Sequence, residues 1–194
     1  MIGQALKRLF HPCSPPAAKP HKSKPFFWID LEMTGLDDQI DSILEVAVVI
    51  TDIQFNILEE YSKVVFQPPE VLEKMNSWCK KTHGESGLVS AVPQGAPLLV
   101  VEEEVLKIIE RHFTKEDRIV LVGNSVGNDR RFIDRLMPKF SKKLHYRIID
   151  ISSFKELFSN KYGIKLSKKN GHRARSDITD SIEELKYYLQ HVDL

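Results

Sequence analysis

Asp30 and Glu32 are separated by a single leucine. In a β-strand, residues two apart share a face, about 6.6 Å from one another at the usual rise. Two bare carboxylates brought to about 5 Å repel by about 3 kcal/mol at an effective dielectric of 20, so a strand end that presents both asks for a cation. Two further acids open helices: Asp129 follows Gly123-Asn124-Ser125, and Asp177 begins the last amphipathic run. Taken singly, each has an ordinary reading, since strand-end acids pair with surface lysines and first-turn acids favour the helix dipole. His172 lies five residues before Asp177. On one continuous helix that offset would turn the two side chains about 140° apart. Asn170 and Gly171 instead suggest a loop ahead of the helix, with Ser176 as a candidate cap. Together, four carboxylates on separate elements and a loop histidine are the parts for two-metal phosphodiester hydrolysis. Hard divalent ions take oxygen ligands, two of them activate a water and stabilise the leaving oxygen, and a histidine accepts the proton at neutral pH.

The elements that must hold these residues are legible from hydrophobic period. Phe26 to Leu31 is a short apolar run ending in acids, a central strand in which Ile29 and Leu31 face away from the carboxylates. Ile43 to Ile53 and Tyr61 to Phe66 read as two more strands, joined closely enough for an antiparallel meander. Short helices are expected around Val71 to Met75 and Ser77 to Lys81, and a long one over Leu98 to Phe113. Ile119 to Val122 is a strand, Arg131 to Met137 a helix stopped by Pro138, and Tyr146 to Ile151 a strand. Ser153 with Glu156 has capping-box spacing for the next helix, and Ile178, Ile182, Leu185 and Leu189 mark the buried stripe of the last. Strands first and βα alternation after imply an α/β fold with a mixed five-stranded sheet flanked by helices.

Composition narrows the class. The chain has 194 residues, 42% of them hydrophobic and 28% charged, ordinary for one globular domain. A formal net charge of +1 leaves no broad basic field for a long polymer. No apolar run approaches the roughly 18 residues of a membrane span. The two cysteines, Cys13 and Cys79, offer neither a disulfide framework nor metal-ligand spacing, and Cys79 beside Trp78 reads as a packing residue. Residues 1–24 differ from the rest, with Lys7, Arg8, Lys19, Lys22 and Lys24 and no acid before Asp30. They read as a disordered basic, proline-rich extension, or as a transit peptide, ahead of a catalytic domain over 25–194.

Longer motifs carry a resemblance. Trp28-Ile29-Asp30-Leu31-Glu32-Met33-Thr34-Gly35-Leu36 resembles the first motif of the DEDD superfamily of 3′→5′ exonucleases, in its histidine-type variant. Gly123-Asn124-Ser125-Val126-Gly127-Asn128-Asp129-Arg130-Arg131-Phe132 is similar to the second, and His172-Arg173-Ala174 through Asp177 to the third. Within the superfamily the similarity is to the oligoribonucleases, from about Phe26 to the C-terminus. It implies a ribonuclease H-like fold in which Asp30, Glu32, Asp129 and Asp177 hold two Mg²⁺ or Mn²⁺ ions and His172 is the general base. It further implies that Leu36 wedges between bases, that Trp78 stacks on them, and that His83 belongs to the same substrate-binding segment. Ser125, Arg147 and Ser152 would cap a 5′ phosphate, with Tyr146 arriving from the second subunit of a homodimer. The expected substrate is single-stranded RNA of two to five nucleotides. Ser176 departs from the pattern, which often has an acid before the last ligand.

Rival readings lack their signals. Histidine-type exonucleases for tRNA ends or DNA proofreading should carry basic patches, and a non-catalytic RNA-binding module should have lost an acid. A helical interaction protein would leave the coincidence of five residues unexplained. The expected location is the cytoplasm, or mitochondria if the extension is a transit peptide.

Overall fold

The strand Phe26–Met33 (β1) fixes the register of everything around it. The structure is a computed structural model and describes residues 23–166 and 173–191. Ile43–Thr51 (β2) lies antiparallel to β1, placing Asp30 opposite Ala47 and Glu32 opposite Glu45. Ile57–Val64 (β3) continues the meander on the outer side of β2. Ile119–Gly123 (β4) joins β1 in parallel and Leu144–Asp150 (β5) joins β4 in parallel, giving one mixed five-stranded sheet of order β3-β2-β1-β4-β5.

Helices cover both faces. On one face Phe27, Ile29, Leu31 and Met33 pack with Val101, Val105 and Ile108 of Leu98–His112 (α4). Phe132 and Ile133 of Gly127–Leu136 (α5) join the same core. On the other face Trp28, Ala47, Val49 and Val122 pack against Ile178, Ile182 and Leu185 of Ala174–Leu189 (α8). The two-residue period of β1 therefore sends Asp30 and Glu32 toward the α8 side, with Trp28. Short helices Pro69–Glu73 (α1), Ser77–Glu85 (α2) and Leu88–Ala91 (α3) link β3 to α4, Pro138–Ser141 (α6) follows α5, and Ile151–Tyr162 (α7) follows β5.

Several boundaries differ from the sequence expectation, each for a local reason. β2 stops at Thr51, not Ile53, because the Asp52 carboxylate accepts from the N–H groups of Gln54 and Asn56 and closes a turn. β3 starts at Ile57, four residues before Tyr61; as an edge strand exposing Ile57 and Leu58 it lacks the alternation that marks a half-buried strand. α5 starts at Gly127, so Asp129 sits in its first turn. The expected Ser153–Glu156 capping box is not used: Asp150 is the N-cap of α7, its side chain accepting from Ser152 N–H at 2.9 Å, and Ser153 lies inside the helix. Arg173, not Ser176, is the N-cap of α8; the Ser176 hydroxyl donates back to the Arg173 carbonyl at 2.8 Å. Leu189 is 40% exposed and fully buried Tyr188 completes the α8 stripe instead.

Of the expected extension, only Ser23 and Lys24 lie among the described residues; Lys24 Nζ meets Asp117 Oδ1 at 2.5 Å. Cys13 and His172 lie outside them. No described helix is long and apolar enough to cross a membrane.

Candidate active site

β1 delivers Asp30 and Glu32 side by side, and the first turn of α8 delivers Asp177 to the same place. One carboxylate oxygen from each lies within 4.8 Å of the other two. Asp129 stands behind this trio, buried on α5, with its Oδ1 accepting the Leu31 N–H at 2.9 Å. That bond has a backbone cause. β4 pairs with β1 only at Phe27 and Trp28, so the Leu31 N–H beyond the ladder needs a side-chain acceptor. Asp129 is not within the 4.8 Å trio, but its charge is the largest influence on Asp30 after burial itself.

Charge crowding shows in the protonation of the site. Burial pushes the Asp30 carboxyl well above the usual range, and Asp129, Glu32 and Asp177 push it further. Glu32 is raised to about 8 by burial, then by Asp177 and Glu45, against a lowering by Arg173. Asp129 is raised to about 7 by burial, opposed by backbone N–H groups including that of Leu31. Without a cation, Glu32 at about 8 favours its protonated form near neutrality. Oxygen donors so close and so reluctant to ionise together fit a hard divalent ion.

The expected substrate residues fall into two groups. His83 is buried on α2; its Nε2–H donates to the Met33 carbonyl at 2.9 Å, and its Nδ1 lies 3.8 Å from Glu32 Oε2. Leu36 and Trp78 are apolar by type and could have been core, yet they are 67% and 60% exposed. With Glu32, Gly35, Cys79 and His83 they line a cavity of about 380 Å³. Cys79 is buried there, and burial pushes its thiol up, as suits a packing residue. The loop bearing Leu36 is tied down by Asp41, whose carboxylate accepts from Thr34 Oγ1 at 2.7 Å and Asp37 N–H at 3.0 Å. Arg135 of α5 donates to the carbonyls of Gln39 and Asp41.

Ser125 and Ser152 meet just beyond the C-terminal ends of β4 and β5, Oγ to Oγ at 3.0 Å, and the Ser125 N–H donates to Ser152 Oγ at 2.9 Å and Asp150 Oδ1 at 3.0 Å. Ser125 sits at φ 49, the left-handed region a serine rarely adopts, which marks a constrained turn. Arg147 and Tyr146 are exposed on β5, the guanidinium 5.2 Å from the Tyr146 ring centroid of the same chain.

Two groups that sequence reading passed over are prominent. Asn124 receives the Ser152 hydroxyl at 3.3 Å and donates to Ser181 Oγ at 2.6 Å, linking the serine pair to α8. Glu45 is buried within β2 and bonds Arg173. Its signal was available: a lone acid inside Ile43–Thr51, otherwise apolar until its terminal threonine, demands a buried partner.

Comparison with known proteins agrees with this geometry. Residues 27–185 match the exonuclease family RNase_T. The chain is 44% identical over 170 residues to the mitochondrial oligoribonuclease of Homo sapiens, covering 85% of this chain and 72% of that one. It is 43% identical over 174 residues to the oligoribonuclease of Dichelobacter nodosus, covering 88% and 96%. Among solved structures, the zinc-bound exonuclease I–single-stranded DNA complex of E. coli superposes with a TM-score of 0.70 at 12% identity, over 88% of this chain. The chain spans 41% of exonuclease I, and at that identity the likeness is one of fold.

Proposed function

Because this chain belongs to the exonuclease family and, within it, to the oligoribonucleases, we propose that it removes 5′-mononucleotides from the 3′ end of RNAs two to five nucleotides long. The observation that carries this reading is the juxtaposition of the Asp30, Glu32 and Asp177 carboxylates with a short groove flanked by exposed Leu36 and Trp78. Exposed apolar side chains beside an anionic centre suit a ligand with flat apolar bases and a phosphodiester. A groove of this size and a net charge of +1 suit a short one.

Asp30, Glu32, Asp129 and Asp177 would hold two divalent ions, Mg²⁺ or Mn²⁺. Bound there, the ions supply activation of the attacking water and stabilisation of the leaving oxygen. The rest falls to the chain itself. A ring nitrogen of His172 takes the proton from water as it attacks phosphorus; the bond from phosphorus to the 3′ oxygen breaks, leaving a 5′-mononucleotide and an RNA one nucleotide shorter. Leu36 and Trp78 hold the bases, and His83 lines the same groove beside Glu32. Ser125, Ser152 and Arg147 receive the 5′ phosphate, with Tyr146 supplied by the partner of a homodimer. The whole assembly occupies the domain proposed over 25–194.

The cytoplasm is the proposed location, with mitochondria the second reading, favoured by the basic, acid-free residues 1–24 and the mitochondrial human relative. Imaging a fluorescent fusion with and without those residues separates the two.

The test of function is incubation with end-labelled RNAs of two to seven nucleotides, with Mg²⁺ or with chelator. Stepwise loss of 3′ nucleotides, fastest for the shortest RNAs and abolished by chelator, is expected. Internal cleavage, or a preference for the longest substrates, would refute the proposal.

A further inference from the structure

Helix α8 begins without a cap of its own. Its N-cap residue, Arg173, offers no side-chain acceptor to the first turn. The acceptor comes instead from another element: Glu45 Oε2, on β2, receives the Ala174 N–H at 3.3 Å. The same carboxylate takes both prongs of Arg173, Nε to Oε2 at 2.9 Å and Nη2 to Oε1 at 2.8 Å, and Oε1 also accepts from Ser62 of β3 at 3.0 Å. Glu45 is 2% exposed and lies in register opposite Glu32.

A fifth carboxylate beside four crowded ones adds repulsion, and burying a charge is costly unless it is paired and hydrogen-bonded. Apart from the bond to Ser62, its hydrogen bonds are spent on the N-terminus of α8. One turn along, the Asp177 N–H donates to the Arg173 carbonyl at 3.1 Å, so whatever fixes Arg173 fixes the backbone of Asp177. β2 thereby ties the two sources of the carboxylate trio together: Glu32 through strand register, Asp177 through the clamp.

We infer that Glu45 is a positioning residue, which through its two-pronged bond to Arg173 and its cap on Ala174 N–H holds Asp177 at metal-binding distance from Asp30 and Glu32. It also keeps the Arg173 guanidinium from folding onto the acids a cation would occupy. This inference rests on the proposed metal site, and its test distinguishes the two.

Mn²⁺ is titrated calorimetrically into the full chain and into Glu45→Gln and Arg173→Gln, with a thermal melt of each metal-free protein. Loss of an outer-shell support of this kind typically weakens metal affinity about 10- to 100-fold, and both variants should show it. Dinucleotide kcat should fall in parallel, with KM nearly unchanged. Arg173→Gln is the decisive arm. It removes a positive charge, so a purely electrostatic influence predicts tighter Mn²⁺ binding, whereas loss of the clamp predicts weaker binding. Tighter or unchanged binding in Arg173→Gln overturns the inference while leaving the metal site standing. The same holds for a folded Glu45→Gln that binds like wild type despite a lower melting temperature. If Glu45→Gln does not fold, the Arg173→Gln arm decides alone. A wild-type chain that takes up no Mn²⁺ overturns the metal site and the inference together.

Discussion

Burial and the neighbouring acids raise Glu32 to about 8, so in the metal-free chain it favours its protonated form near neutrality. The sign of the resulting pH dependence is fixed. Its folded value lies above the ordinary 4.5, so the folded metal-free chain binds more protons than the unfolded one between about 4.5 and about 8. Stability contributed by this group is lost as pH rises through that window. Metal affinity at the proposed site should run the other way, rising toward pH 8 with release of protons. Melts of metal-free protein should therefore show Asp30→Asn more stable than wild type at pH 8, the difference shrinking toward pH 5, because Asp30 too is raised. The same variant should lose hydrolysis entirely; normal turnover, or a lower melting temperature at pH 8, would count against the cluster. For His172 the expected result is kinetic. His172→Ala should slow single-turnover hydrolysis by about a hundredfold or more while dinucleotide binding in Ca²⁺ is retained. A collapse of binding with turnover intact would make it a binding residue.

The loop after β1 shows how an element aims a side chain. Leu36 projects into solvent because the loop beneath it is closed by Asp41 and tied to α5 by Arg135. Gly35 is required there: a Cβ on it would lie 2.4 Å from Asp41 Oδ2. Gly35→Ala should displace that carboxylate and cost one or two hydrogen bonds of about 1 kcal/mol each, raising KM for dinucleotides about tenfold with kcat less affected. Unchanged KM would show that the loop does not set the position of Leu36. Much of this scale was legible. Hydrophobic period located the five strands and the long helices, because burying one face imposes that period. It missed the start of β3, where an edge strand exposes Ile57 and Leu58, and it capped α7 with Ser153 where Asp150 does the work. Both misses are tertiary choices: nothing covers either face at the start of this edge strand, where Ile57 and Leu58 are both exposed, and a capping acceptor need only be near, not at the expected spacing.

At the scale of the whole molecule the question is length selection. Arg147, exposed on β5 against its own Tyr146, is proposed to meet the 5′ phosphate in a site shared by two subunits. Arg147→Ala removes a charge-assisted hydrogen bond worth about 1.5–3 kcal/mol, so affinity for 5′-phosphorylated dinucleotides should fall about ten- to a hundredfold. Longer RNAs and unphosphorylated ones should lose less. Sedimentation of wild type alongside these titrations gives the second half of the test. A fully active monomer, or equal losses at every length, would remove the shared cap.

The chain by itself determined the family. Asp30, Glu32, Asp129 and Asp177 with His172 stood out as candidates, in motifs long enough to point to one family, because metal chemistry needs those residue types and a two-residue strand period puts two of them on one face. What only the tertiary structure decided is how the carboxylates meet. Asp177 reaches Asp30 and Glu32 because α8 packs on the Trp28 face of the sheet, and Asp129 sits behind them because the Leu31 N–H, beyond the end of the β1–β4 ladder, needs an acceptor. Glu45 belongs to the same category. A lone acid in an apolar strand signals a buried partner but not which one, since Arg173 and Ala174 lie 128 and 129 residues away and are brought to it by packing alone.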